Sequence, residues 1–328
     1  MKKFSKFKRS MMESGDYSKN GESLKSQTSK DQLFVFMFVF LFTVYLSACT
    51  QPTARFKNYT ETVNNLNIEM IAVQGGTFTM GCTPEQRDDC RDSEKPAHQV
   101  TVSDFYIGKY EVTQAQWTAV MGTTVRQQTI KNSPIMSIVG EGDNYPMVYV
   151  SWEEAQEFIS RLNTLTGKQY RLLTEAEWEF AARGGNKSRG YKYSGSNTLE
   201  NVAWYYENSN DDIHPVGTKS PNELGIYDMS GNVYEWCNDW YEDYSSNAQT
   251  DPRGPYSGSY RVFRGGCGSS VANNVLVSDR SGGTPDSRRS LLGFRLACSP
   301  NQEPPPTERT PATTTTVPTQ FRKLHRNS

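Results

Sequence analysis

From Gly185 to Ala297 the chain shows no helical periodicity. Glycine-, asparagine- and aromatic-rich stretches separate apolar runs too short for a helix: Ile226 to Met229, Val233 to Cys237, Tyr260 to Arg264 and Leu292 to Ala297. Runs of that length, bounded by glycine, asparagine or serine, read as short strands between long loops. A helical bundle is excluded. Loops in such number also need holding, because their backbone polar groups find few partners in regular elements, and disulfides or metal ions are the usual means.

The preceding half reads differently. IEMIAVQGGTFTMG, from Ile68, gives β-prone runs broken at Gly75-Gly76 and Gly81, and HQVTVSDFYIGKY, from His98, alternates in the same manner. Three helix starts follow. Thr113, Ser151 and Thr174 each precede a residue three positions on, Gln116, Glu154 and Glu177, whose side chain can reach back to the cap. That is the capping-box pattern. Gly122, Gly167 and Gly184-Gly185 mark the three ends. Strands with few helices and much irregular backbone define an α+β domain.

Both termini are non-globular in composition. Leu33 to Ala48 is an unbroken, mostly apolar run preceded by Lys2, Lys3, Lys6, Lys8 and Arg9, the length and flank of a signal-peptide core. It ends in Leu46-Ser47-Ala48-Cys49, which resembles a bacterial lipobox; an ordinary anchor helix with an incidental cysteine is the alternative. On the lipobox reading 1–48 is a leader, Cys49 carries the lipid, 49–65 is a linker and 66–298 is the folded domain. Residues 299–328, dominated by proline and threonine, form a tail with too little apolar surface to order itself. Export permits disulfides, and Cys82 with Cys90 can staple one polar loop. Cys237, Cys267 and Cys298 are an odd remainder. The net charge of −1 gives nucleic acid no electrostatic hold. Three scattered histidines, His98, His214 and His325, exclude a multi-histidine metal centre.

In order along the chain, GGTFTMG at Gly75, YEVTQAQW at Tyr110, PMVYVSWEEAQEF at Pro146, YRLLTEAEWEFAARGG at Tyr170, HPVGTKSPNELGIYDMSGNVYEW at His214, RVFRGG at Arg261 and GFRLA at Gly293 resemble the formylglycine-generating enzyme (sulfatase-modifying factor) family. That resemblance spans 66–298 and implies its subtype of the C-type-lectin-like fold. It also implies a structural calcium ion at DMSGNVYE, held by the side chains of Asp228 and Glu235 and the carbonyls of Gly231 and Val233; alternating oxygens around a glycine turn suit a hard cation. The oxidase members of the family bind copper(I) through two cysteines after the RGG strand. Those positions fall at Ser270 and Val275, so neither copper nor the iron of the histidine-dependent relatives is expected.

The segment after that strand, CGSSVANNVLVSDRSGGTPDSRRSLL from Cys267 to Leu292, lacks Lys, Glu, Gln, Met and Trp in 26 residues. Those five types make up 68 of the 328 residues, so a random draw would not omit them all. None has a codon ending in a pyrimidine. Asparagine codons randomised at both adenines yield the residue types seen here and never those five. In this the segment resembles the variable region of proteins diversified by adenine-directed retroelements, displayed on the same fold between an RGG strand and a GFRL strand. The resemblance nominates Cys267, Gly268, Ser269, Ser270, Val271, Val275, Leu276, Asp279, Ser281, Gly282, Gly283, Ser287, Arg289, Ser290 and Leu291 as one exposed ligand-binding surface. The expectation is a surface lipoprotein of the bacterial outer membrane, anchored by lipid, binding an unidentified protein or glycan and no nucleic acid. An oxidoreductase with an atypical site and a structural envelope lipoprotein are the alternatives.

Overall fold

The computed structural model describes residues 56–86, 89–132 and 138–300; the leader, Cys49 and the tail beyond 300 lie outside the described residues. No helix among the described residues is long and apolar enough to cross a membrane. Folded structure begins at Phe56 rather than at residue 66. Strand β1 (Tyr59–Val63) forms a hairpin with β2 (Leu66–Val73). Asn64 and Asn65 turn it at φ 49° and 65°. Asparagine tolerates this left-handed conformation, which a two-residue hairpin of the right twist requires. The proposed linker 49–65 therefore contains an edge strand.

Strands β3 (Gly76–Met80), β4 (His98–Val102) and β5 (Phe105–Gly108) precede helices α1 (Gln114–Met121), α2 (Val125–Asn132) and α3 (Trp152–Thr166). Then come β6 (Tyr170–Leu172), α4 (Glu175–Ala182), β7 (Tyr234–Trp240), β8 (Gln249–Thr250), β9 (Arg261–Arg264), β10 (Arg280–Gly283), β11 (Leu292–Phe294) and β12 (Leu296–Cys298). They build a five-stranded sheet β1-β2-β5-β12-β6, a four-stranded sheet β10-β9-β7-β11 and a three-stranded sheet β3-β4-β8.

Beyond its β1 edge the central sheet is covered on both faces, and the two-residue period of its strands sorts the core. Ile68, Met70, Tyr170, Leu172 and Leu296 face α1 and α3, where Trp117 stacks on Phe158 with centroids 5.6 Å apart. Ile71, Val73, Phe105, Ile107 and Ala297 face α4 and the β3–β4 pair, against Trp178, Phe180 and Val100. All three expected capping boxes close: the backbone N–H groups of Thr113, Ser151 and Thr174 donate to Gln116, Glu154 and Glu177 at 3.0, 3.1 and 2.9 Å.

Two expected strands differ. Ile226–Met229 is irregular, because Asp228 takes φ 60° to point its carboxylate inward. Leu292–Ala297 is two strands in two sheets, interrupted at Arg295, whose side chain enters the core. This hand-over couples the four-stranded sheet to the central one.

Candidate functional site

The RGG turn at the end of β9 sets the geometry of the following segment. Gly265 and Gly266 adopt φ 97° and 72°. A Cβ on Gly266 would stand 2.4 Å from the Asn274 carbonyl oxygen. Only glycine serves there. The chain then packs on the loop at Tyr205–Ile213: Ser209 Oγ donates to the Gly268 carbonyl at 2.6 Å and the Tyr206 N–H to that of Ser270 at 3.0 Å.

Arg264, fully buried, fastens the middle of the segment. Its Nη1 donates to the carbonyls of Ser278 and Asp279 at 2.8 and 2.7 Å, and Nη2 to that of Val277 at 3.1 Å. The charge is met by Glu179 of α4, hydrogen-bonded to Nη2. Arg280 makes a two-pronged pair with Glu175, Nε and Nη2 at 2.7 and 2.8 Å, and reaches the carbonyls of Glu242 and Ser93 at 2.8 and 3.2 Å. A guanidinium suits this work because its donors form a planar fork.

Cys82 and Cys90 form a disulfide, with Cα atoms 5.8 Å apart. Just beyond it, Arg91 places Nη1 3.2 Å from Asp279 and donates from Nη2 to Asn274 Oδ1 at 2.5 Å, and Asn273 donates to Asp89 at 3.2 Å. Asp279 is 1% exposed, and neither of its carboxylate oxygens accepts an aligned hydrogen bond. Burial pushes its carboxyl up to about 7, with Arg91 opposing and Glu94 adding to the rise.

The segment is therefore not one exposed surface. Ser269, Val271 and Arg289 are exposed, and Ser281, Gly282, Ser287, Ser290 and Leu291 half-buried. Cys267, Gly268, Ser270, Val275, Leu276, Asp279 and Gly283 are buried, a correction to the expected uniform face. The reasons are local. Gly268 abuts Asp212, whose carbonyl oxygen a Cβ would meet at 2.3 Å. Val275 and Leu276 belong to an apolar cluster with Tyr193, Leu199 and Tyr205. Cys267 Sγ lies 3.4 and 3.3 Å from the hydroxyls of Ser269 and Ser270, and the latter reaches Tyr234 Oη at 3.3 Å. Among the described residues Cys237, Cys267 and Cys298 are buried free thiols.

A second buried centre lies beneath DMSGNVYE. Arg295 donates to Glu235 through Nε and Nη2, the shortest contact 2.6 Å, and to the carbonyls of Gly108 and Tyr227, both at 2.9 Å. Trp178 Nε1 donates to the other oxygen of Glu235 at 2.8 Å. Asp228 accepts the Gly217 N–H at 2.7 Å through Oδ2, while Oδ1 is buried without a partner. Burial raises the Asp228 carboxyl to about 6. Glu111, which takes donors from Asn232 and Val233, is held well above the usual carboxylate range, first by burial and then by the charges of Asp228 and Glu235. Three buried carboxyl groups share one arginine here, and the orphan Oδ1 of Asp228 fits a ligand for a hard cation. Glu235 serves here as the partner of Arg295. Among the described residues no three His, Cys, Asp or Glu side chains converge as a metal site.

Arg91, Glu111 and Tyr206 carry no signal in the sequence that marks them as site residues. Glu111 stands inside a framework motif and Arg91 beside a disulfide cysteine, but nothing local says which distant group each meets.

Fold and centre define a C-type-lectin-like α+β domain with a long irregular segment mounted on buried arginines. The sulfatase-modifying factor enzyme 1-like domain matches residues 56–300, and the chain belongs to that family. It is 32% identical to the formylglycine-generating enzyme of Thermomonospora curvata, over 70% of this chain and 93% of that protein. It is 33% identical to the chaperone protein LppX of Paenibacillus barcinonensis, over 66% of this chain and 86% of that protein. Among solved structures, Treponema denticola variable protein 1 superposes with a TM-score of 0.63 at 33% identity, covering 74% of this chain and 99% of that one.

Proposed function

We propose that this chain is a lipid-anchored surface protein that binds a protein or glycan ligand through a diversified face on its family scaffold, without oxidase chemistry and without nucleic acid. The observation that carries the reading is the segment from Cys267 to Leu292. Its residue types are those of randomised asparagine codons, and it lies between the RGG and GFRL strands of a fold shared with a protein named for its variability. A rigid scaffold presenting side chains on loops is what variable recognition requires. The lipobox-like LSAC at Leu46–Cys49 supports the anchor and an outer-membrane, cell-surface location.

The non-catalytic part rests on Ser270 and Val275. A hydroxyl and an isopropyl group at the positions aligned with the thiols give copper(I) no soft ligand. Calcium enters the proposal as a structural ion held by Asp228 through its unpartnered Oδ1 and by the carbonyls of Gly231 and Val233, Glu235 being taken up by Arg295 and Trp178. The test of diversification is the neighbouring DNA. A near-copy of the sequence encoding 267–292, differing at adenines and lying beside a reverse-transcriptase gene, is the expected finding; no such copy in the genome removes diversification from the account. Incubation with copper(I), oxygen and a cysteine peptide should yield no more aldehyde than a protein-free control, and aldehyde above that control returns the protein to the enzymes.

A further inference from the structure

Resting on the ligand-binding reading above, we infer that specificity resides in the exposed side chains of two flanks of the segment, Ser269–Val271 and Ser281–Ser290, and that residues 273–280 between them, buried from Val275 onward, form a fixed latch outside the ligand face. Six residues outside the segment converge on this middle part. Asp89 and Arg91, on either side of the disulfide cysteine Cys90, hold the amides of Asn273 and Asn274. Arg264 holds three successive carbonyls, those of Val277, Ser278 and Asp279. Glu175 holds Arg280, which Ser93 and Glu242 also engage through their carbonyls. Val277 is fully buried in the core cluster around Trp178.

Side-chain ties from outside the segment are fewer in the flanks: Arg288 Nε donates to Glu154 at 2.9 Å, Ser270 Oγ donates to Tyr234 Oη at 3.3 Å and Ser290 bonds Tyr149, while Ser269, Val271 and Ser287 make none among the described residues. Val271 is 54% exposed, and Tyr206, 56% exposed, stands beside this flank through its N–H bond to the Ser270 carbonyl. An exposed tyrosine offers contact area at small cost in conformational entropy, so Tyr206 is the fixed anchor of the first flank. In the second, Arg289 lies over the Phe263 ring at 5.0 Å with its side chain otherwise open to solvent. Main-chain bonds fix the backbone of this flank: the Arg289 carbonyl accepts from the Tyr149 N–H at 3.1 Å and that of Leu291 from the Tyr234 N–H at 2.9 Å. Side chains there can change while the backbone stays in place. The latch keeps the flanks in register, because Arg264 grips main-chain carbonyls that are present whatever the side chains are.

The experiment displays the full chain on cells as two libraries, one randomised at Ser269, Val271, Ser287 and Arg289 and the other at the buried Val275, Leu276, Val277 and Arg280. Selection is for protease resistance alone, and survivors are sequenced. The flank library should survive with near-uniform composition. The latch library should fall by about tenfold or more and converge on the present residues, as expected where buried hydrogen bonds or core volume are lost. Equal tolerance of the two libraries overturns the proposal, and so does a flank library that fails. Because selection uses no ligand, the outcome is independent of whether the binding reading holds. Tyr206→Ala should leave resistance unchanged; a fall places Tyr206 in the core and removes it as anchor.

Discussion

The two halves of this domain are held by different physics. Between β2 and the end of α4, local chemistry dominates: α1, α3 and α4 each begin at a closed capping box, and α1 and α3 end at the left-handed glycines Gly122 and Gly167. Beyond α4 the loops are held by guanidinium groups acting across long sequence separations. Arg264 meets Glu179 and Arg295 meets Glu235, each fully buried. The first half is secured by many small local terms, the second by a few large ones. Damage to a single side chain should therefore be graded in the first half and severe in the second.

The largest effect is expected at the second half's own centre. Arg264→Met takes one of two guanidinium partners from the buried Glu179, leaving Arg183, and frees three buried carbonyls, and equilibrium unfolding should show a loss of about 3–5 kcal/mol. A loss no greater than that of a capping residue would erase the distinction between halves.

Asp279 sharpens the comparison through pH. Its carboxyl, ordinarily at 3.8, is pushed up to about 7, first by burial. The folded protein keeps this proton between those values while the unfolded chain has lost it. The contribution is therefore full at low pH and declines as pH rises towards 7. Arg91, Glu94 and Arg264 are the charges that act on it. Asp279→Asn should remove a pH-dependent loss of roughly 4 kcal/mol, read as a flatter stability profile between about pH 4 and 8. An identical profile in variant and parent would show that another group titrates. Next comes calcium. A chelator, or Asp228→Ala, should lower the melting temperature by several degrees, roughly 2 kcal/mol at moderate excess of ion over its dissociation constant. An unchanged melting temperature in both would remove the ion from the account. The smallest effect belongs to the first half: Ser151→Ala should cost about 1 kcal/mol, with thermal unfolding otherwise unchanged in cooperativity.

This division also explains what can be read from the sequence. The helices that begin at Thr113, Ser151 and Thr174 are legible because cap, reach-back residue and terminal glycine lie within one helix length. The hairpin at Asn64-Asn65 is equally local, but its strand YTETV is polar enough to pass for linker. Beyond α4 the strands can be placed only approximately, since their partners are chosen by tertiary contacts. The segment after Gly266 is recognisable by composition, yet composition assigns all its residues to one face. It records which side chains are permitted, whereas burial depends on Asp212, Tyr205 and Arg91 arriving from elsewhere. Cys267 and Leu276 look variable in sequence and are packed in the structure for that reason.

The most direct measurement is deep sequencing of the coding region from a culture grown from one cell. If the protein displays a diversified recognition surface, substitutions accumulate at adenine positions of the codons for Ser269–Val271 and Ser281–Ser290, and the codons of β9 and β11 stay constant. Substitutions spread evenly along the gene, or no excess in the segment, would contradict it.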